Sequence, residues 1–187
     1  MIRADIALGN EPNITVEIDE LIADFGGDEG LPDVILGIGG AYYRQGRYRE
    51  KAGDIDGRNA YYRDAISVYE RLTAEFGDSE DAASAYYFSA LCYELIGGYE
   101  IAIQYYQKVV DDWPDDIRSP RLLYRITKLY AKLEGSGQIS TMDASIEIRQ
   151  ACKKLLEDYP ASRYVDEMRK TLEHWNLIYA WLLSQQK

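Results

Sequence analysis

The chain has 187 residues, 47% of them hydrophobic, with two cysteines, one histidine and a formal net charge of −11. That is enough apolar material for one packed core or a short array of repeats, which excludes a disordered chain. The acidic balance excludes general nucleic-acid binding, which needs a basic footprint. No apolar run reaches the roughly 18–20 residues that cross a bilayer, so membrane insertion is not expected.

Helical periodicity runs through the whole chain and nothing alternates with period two, so the expected fold is all-α without a sheet. The expected helices are 11–25, 32–51, 58–76, 80–96, 99–113, 119–134, 141–159 and 162–185. Ahead of them, Leu8-Gly9-Asn10 stands five residues before Ile14, as Ile96-Gly97-Gly98 stands five before Ala102. Met1–Leu8 therefore reads as the end of an earlier helix whose beginning is missing. Helix 11–25 then lacks a complete partner, and Ile14 and Ile18 are expected to be half covered. Such an edge invites self-association or upstream sequence.

Helix 32–51 contains Gly37-Ile38-Gly39-Gly40. The third glycine of a dinucleotide fingerprint is absent, and so is a βαβ setting. The glycines read instead as places where helices approach closely. Asp54-Ile55-Asp56-Gly57 is similar to a calcium loop, but Arg63 stands where the twelfth-position carboxylate would be. Helix 58–76 carries Ala65, Ile66, Tyr69, Leu72 and Phe76 on one stripe. Helix 99–113 repeats this with Ala102, Ile103, Tyr106, Val109 and Val110. Gly97-Gly98 and Gly135-Ser136-Gly137 read as helix stops.

Ser119 before Pro120 reads as an N-cap, and Ser140-Thr141-Met142-Asp143 as a capping box with Asp in place of Glu. On helix 119–134, Arg121, Arg125, Lys128 and Lys132 recur at three- and four-residue spacing, with Tyr124 in the same stripe. Helix 162–185 places Met168, Leu172, Trp175, Tyr179 and Leu182 on one face. Cys92 and Cys152 both lie on apolar faces and read as small buried hydrophobes. With one histidine they cannot form an ordinary zinc site. A Ser-His-Asp or Cys-His mechanism would have to use His174, which has no flanking motif. No catalytic residue, metal ligand or cofactor site is expected.

An internal repeat organises these helices. Phe25-Gly26, Phe76-Gly77, Trp113-Pro114 and Tyr159-Pro160 each follow the same pattern. Twelve residues before the second member stand Ile14, Ala65, Ala102 and Ile148. Eight before stand Ile18, Tyr69, Tyr106 and Cys152. Five before stand Leu21, Leu72, Val109 and Leu155. Thirteen after the first three stand Gly39, Ala90 and Thr127, and three further on Tyr42, Tyr93 and Tyr130. The period implies stacked helical hairpins. The expected divisions of one solenoid domain are a half repeat at 1–26, a repeat with an extended hairpin at 27–77, a repeat at 78–114, a repeat with a loop insertion at 115–160 and a capping helix at 161–187. The extra 14 residues of the second division should lengthen each helix by about two turns. The extra nine of the fourth, Gly135–Asp143, should form a loop. Glu173 and Asn176 replace the expected small residue and tyrosine, as in a cap.

The charge is unevenly spread. Residues 1–117 hold 24 acids and 9 bases, net −15, and residues 118–187 hold 8 acids and 12 bases, net +4. The C-terminal half therefore has room for an acidic ligand.

These residues resemble the tetratricopeptide repeat family. The clearest unit is Ala85–Asp115, in which Ala90, Tyr93, Gly97, Ala102, Tyr106, Val109 and Pro114 match the signature. The resemblance covers about three repeats with half-repeats at both ends. It implies a right-handed α-solenoid of antiparallel hairpins, whose first helices line a groove that binds a peptide or helix. The corresponding positions are Leu36, Gly40, Tyr43 and Arg44; Tyr87, Leu91 and Glu94; Arg121, Tyr124, Lys128 and Lys132; and Lys170 and His174. The expected function is a non-catalytic protein–protein interaction scaffold, with an accessory or docking domain of a larger enzyme or assembly as the alternative. The 37-residue unit and Tyr159–Glu167 are also similar to bacterial envelope members, the outer-membrane assembly lipoproteins and the Tol–Pal coordinator. That similarity slightly favours a periplasmic or envelope location. The expected partner is a protein segment carrying aromatic and acidic residues.

Overall fold

The structure, a computed structural model, describes Ile6 and residues 14–185. Among the described residues there are eight α-helices and no strand: α1 (Ile14–Phe25), α2 (Leu31–Lys51), α3 (Ile55–Glu75), α4 (Ala82–Leu95), α5 (Tyr99–Asp112), α6 (Ser119–Gly135), α7 (Thr141–Asp158) and α8 (Val165–Ser184). The expected first part-helix at 1–8 lies outside the described residues except for Ile6, which is buried.

The repeat is visible in the turns. After each aromatic–turn dipeptide, the residue three past the aromatic donates its N–H back to the aromatic carbonyl: Asp28 to Phe25, Ser79 to Phe76, Asp116 to Trp113 and Ser162 to Tyr159, at 2.8–3.0 Å. Three residues on, Leu31, Ala82, Ser119 and Val165 donate to the carbonyls of those same Asp and Ser residues at 2.9–3.2 Å. The side chains reinforce three of the four turns. Asp28 Oδ1 accepts from Gly30 N at 2.8 Å, Asp116 Oδ1 from Arg118 N at 2.8 Å, and Ser162 Oγ from Tyr164 N at 3.2 Å. Asp and Ser are turn residues because their short side chains reach the backbone two residues on.

The hairpin loops use a second device. Gly53, Gly97 and Gly137 have φ of 77°, 89° and 74°, in the left-handed region that favours glycine. Around them run the two hydrogen bonds of the Schellman motif. Asp54 N, Gly98 N and Gln138 N donate to the carbonyls of Arg49, Tyr93 and Leu133 at 2.8–3.0 Å. Gly53 N, Gly97 N and Gly137 N donate to those of Glu50, Glu94 and Glu134 at 2.8–3.2 Å.

The chain divides into two compact units, 1–105 and 106–187, with the boundary inside α5. In the first, α1 packs on α2 and α3, α2 and α3 form the longest hairpin, and α4 packs on α3. Its core includes Ile35, Ile38, Tyr62, Tyr69 and Leu72. Two glycines set the α2–α3 approach. A Cβ built on Gly39 would clash with the Tyr69 ring, 2.4 Å from its nearest carbon, and one on Gly46 with the Tyr62 ring, at 2.5 Å. In the second unit α6 packs on α7 and α7 on α8, around Leu122, Leu123, Ile126, Ile148 and Met168.

The first insertion lengthens both helices as expected, since α2 and α3 have 21 residues each against 14 each for α4 and α5. α3 starts at Ile55, earlier than expected, because Asp54 caps it by accepting from Gly57 N at 2.9 Å. The second insertion differs from the expectation of a loop. α6 has 17 residues and α7 has 18, so most of the nine extra residues extend helices. α7 starts at Thr141, where the Ser140–Asp143 capping box puts it: Ser140 Oγ accepts from Asp143 N at 3.0 Å and donates to Asp143 Oδ2 at 2.6 Å.

Two further expectations are corrected. Ser119 is not the N-cap of α6. It is the first helical residue, fully buried, and its hydroxyl donates to the Trp113 carbonyl at 3.3 Å, tying turn to helix. Ile18 is not half covered, being 2% exposed within the cluster that contains Ile6 and Leu72. Ile14 is half-buried.

Candidate functional site

In the first unit, the first-helix positions on α2 and α4 are built around a ring that the sequence reading did not select. Phe88 packs on Tyr69, stacked at 5.7 Å and 20°, and lies 6.1 Å from Tyr43 and 5.0 Å edge-on from Tyr87. Tyr43 also meets Tyr62 at 5.8 Å. Tyr43 and Tyr87 are thus half-buried plates with polar edges, positioned by packing, and burial pushes the Tyr43 phenol up from its ordinary value. Leu91 and Glu94 are half-buried, and Arg44 is exposed. Leu36 packs against the core. A Cβ on Gly40 would meet only Arg44 Nη1, at 3.3 Å. The signal for Phe88 was its helical spacing from Ala85 and Cys92, both on the buried face of α4.

In the second unit, α6 and α8 bring together Tyr124, Lys128 and two residues not anticipated, Tyr164 and Glu167. Tyr124 stacks on Tyr164 with centroids 4.8 Å apart and planes at 16°. Its hydroxyl donates to Glu167 Oε1 at 2.9 Å, and Lys128 Nζ donates to the same oxygen at 3.0 Å. Lys128 Nζ also lies 5.0 Å from the Tyr124 ring centre, a cation–π contact. On the far side, Arg163 lies 4.9 Å from the Tyr164 ring centre and donates to its hydroxyl at 2.7 Å. Burial disfavours the Lys128 ammonium, but the hydrogen bond to Glu167 outweighs it and the pKa stands above its ordinary value. The hydrogen bonds from Lys128 and then Tyr124 hold the Glu167 carboxyl below its ordinary value.

The basic stripe is therefore not one row of solvated charges. Lys128 is ion-paired, and Arg125 is half-buried with its guanidinium 5.7 Å from the Tyr106 ring centre. Arg121, Lys132, Lys170 and His174 are exposed. On α8, Leu177 and Trp181 follow Lys170 and His174 on one helical stripe, 74% and 61% exposed. They were not anticipated, because the apolar stripe chosen for that helix was the inward one, of which Met168 and Trp175 are buried.

Among the described residues, no group of three or more His, Cys, Asp and Glu side chains could hold a metal ion. Asp54 is engaged by Gly57 N and Arg49. Cys92 and Cys152 are buried free thiols, each pushed up to about 12 by burial, so neither supplies a thiolate.

With hairpins, turns and first-helix faces in place, one comparison bears on the repeat. Residues 82–116 match the tetratricopeptide repeat family. The matched segment takes in α4, the Gly97 Schellman loop and α5. Tetratricopeptide repeats generally mediate protein–protein interaction, in scaffolds rather than catalysts. No curated protein matches the chain.

Proposed function

We propose that this protein is a non-catalytic scaffold that binds a partner's peptide or helix on its first-helix faces, with Tyr124 as the principal anchor. The Tyr124 site carries this reading. Its ring is clamped by Tyr164, Glu167 and Lys128, so it loses little freedom on binding, and tyrosine is a residue type enriched where binding energy concentrates. Arg121, Lys132 and Lys170 add positive charge around it, and Leu177 and Trp181 add open apolar area. Such a face suits a segment bearing both carboxylates and aromatic or aliphatic side chains. In the first unit, Tyr43, Tyr87 and Leu91 with Arg44 and Glu94 form a second, more aromatic face.

The similarity of Tyr159–Glu167 to envelope proteins supports a second reading, in which the scaffold serves an envelope assembly or a larger enzyme as its docking arm. Both readings place the binding residues alike.

A random-peptide display selection against the whole protein tests the proposal. Selected peptides should be rich in Asp, Glu and aromatic residues. Tyr124→Ala should speed their dissociation at least tenfold, and Lys132→Glu should slow association and flatten its salt dependence. Uniformly basic peptides, or binding indifferent to both substitutions, would place the binding surface elsewhere.

A further inference from the structure

The end of the α2–α3 hairpin holds an unexpected concentration of charge. Residues 44–63 contain six bases and three acids, whereas the rest of residues 1–117 contains three bases and 21 acids. This stretch thus carries a net charge of +3, while the rest of residues 1–117 carries −18. The structure explains where this island sits. By the repeat register Gly39 corresponds to Ala90, so Arg44 corresponds to Leu95, the last residue of α4. α2 continues seven residues further, to Lys51, or about 10 Å at 1.5 Å per residue. α4 does not accompany this part of α2.

On that projecting segment Arg44, Arg47, Tyr48 and Lys51 are all exposed, and their spacing puts them on one helical face. Tyr48 is 66% exposed, and Ile55, at the start of α3, is 51% exposed. The underside is rigid. Tyr62 rides on Gly46, and Tyr61 is buried against Tyr42 with Arg49 5.8 Å from its ring centre. Two of the three acids at the tip are engaged: Glu50 pairs with Arg47 at 3.0 Å and Arg58 at 3.7 Å, and Asp54 caps α3 and pairs with Arg49 at 3.4 Å, while Asp56 is exposed on the first turn of α3. Among the described residues Lys51 has no carboxylate within ion-pair distance. The result is a stiff, cationic knob with an exposed aromatic at its centre.

We infer that the Arg44–Arg47–Tyr48–Lys51 face is a docking surface for a short acidic segment of a partner protein, one with carboxylates at helical spacing and an apolar side chain for Tyr48 and Ile55. Charge complementarity selects this occupant. A lipid surface or a nucleic acid is a polyanion much longer than the ~10 Å knob, and at physiological salt fields persist over ~8 Å. Either would bring its charge up against the acidic remainder of the unit. A segment of one to three helical turns would not. Only Arg44 is shared with the first-helix face of the scaffold reading; Arg47, Tyr48 and Lys51 lie beyond α4 and belong to neither that face nor the Tyr124 site, so variants at Tyr48 and Lys51 test this surface separately.

A random 12-residue display library is selected on the whole protein, and the bound pool is counter-selected on a Tyr48→Ala/Lys51→Glu variant whose thermal melt matches wild type. The inference expects a sub-pool that binds wild type at least tenfold better than the variant, enriched in Asp and Glu, and retained by Tyr124→Ala. If the variant melts early, the single Lys51→Gln change serves instead, with a threefold loss expected. A counter-selection that removes no peptides, or removes peptides without acidic enrichment, overturns the inference. So does co-sedimentation of wild type, but not the variant, with phosphatidylserine vesicles, which would assign the knob to a membrane.

Discussion

Gly39 of α2 lies directly beneath the ring of Tyr69 on α3, so close that a Cβ on Gly39 would overlap the ring carbons. Seven residues along each helix, in opposite directions, Gly46 and Tyr62 repeat the arrangement. Tyr62 and Tyr69 are both buried. Glycine in a helix interior costs up to about 1 kcal/mol relative to alanine, so these two positions are kept small by packing. Gly39→Ala should therefore destabilise by about 1–3 kcal/mol, because overpacking outweighs the propensity gain. Urea denaturation checks this, and an unchanged or raised midpoint would show that α2 and α3 are not so close.

Gly135 and Gly137, two residues apart in sequence, should respond oppositely to alanine. Gly137 has φ of 74°, where a side chain is strained, so Gly137→Ala should cost about 1 kcal/mol. Gly135 is the last residue of α6, and a Cβ there would meet nothing within 4 Å. Gly135→Ala should add about 0.5 kcal/mol through helix propensity. Paired thermal melts of the two variants test the assigned stop.

Alkaline titration should separate the tyrosines. Tyr93 and Tyr105 both donate to Glu70 Oε1 at 2.8 Å. Burial, and then the bond to Glu70, push the Tyr93 phenol up to about 12 and Tyr105 up as well. Tyr62 is raised to about 12 by burial and by Glu50, and Tyr130 to about 12 by burial and by Glu147. Because these folded-state values lie above the unfolded value of about 10, their contribution is complete below pH ~10 and is lost as pH rises toward 12. In a phenolate absorbance titration these four tyrosines should ionise only as helical circular dichroism collapses. A single transition near pH 10 with the helices intact would contradict the burial.

Glu167 should act as a brake on acidic ligands at Tyr124. It is about half exposed and paired with Lys128 at 3.0 Å, so Glu167→Gln should change stability by less than about 0.5 kcal/mol. It should nevertheless strengthen binding of display-selected acidic peptides severalfold, because Lys128 loses its internal partner. Weaker binding in Glu167→Gln would mean that Glu167 holds Tyr124 in its binding pose. In the folded protein the Glu167 carboxyl is held low, so the pair is complete above the ordinary carboxylate range and is lost as pH falls through the lowered value.

The sequence by itself determined the helices, their order and the repeat, because these depend on local periodicity and on turn residues. The four aromatic–turn dipeptides mark real double turns, and Gly97 and Gly137 are real stops. The buried fate of Cys92, Ala90 and Ala102 was equally legible, since small residues at fixed intervals mark close helix crossings. Tertiary structure alone decided which charges were already taken. The pairing of Lys128 depended on Glu167, 39 residues away, arriving from α8. Helical spacing places side chains on a face but cannot say what stands opposite. The opposing surface is set by packing between helices far apart in the chain, and that packing left Tyr48, Leu177 and Trp181 uncovered while seating Phe88 beneath Tyr43 and Tyr87.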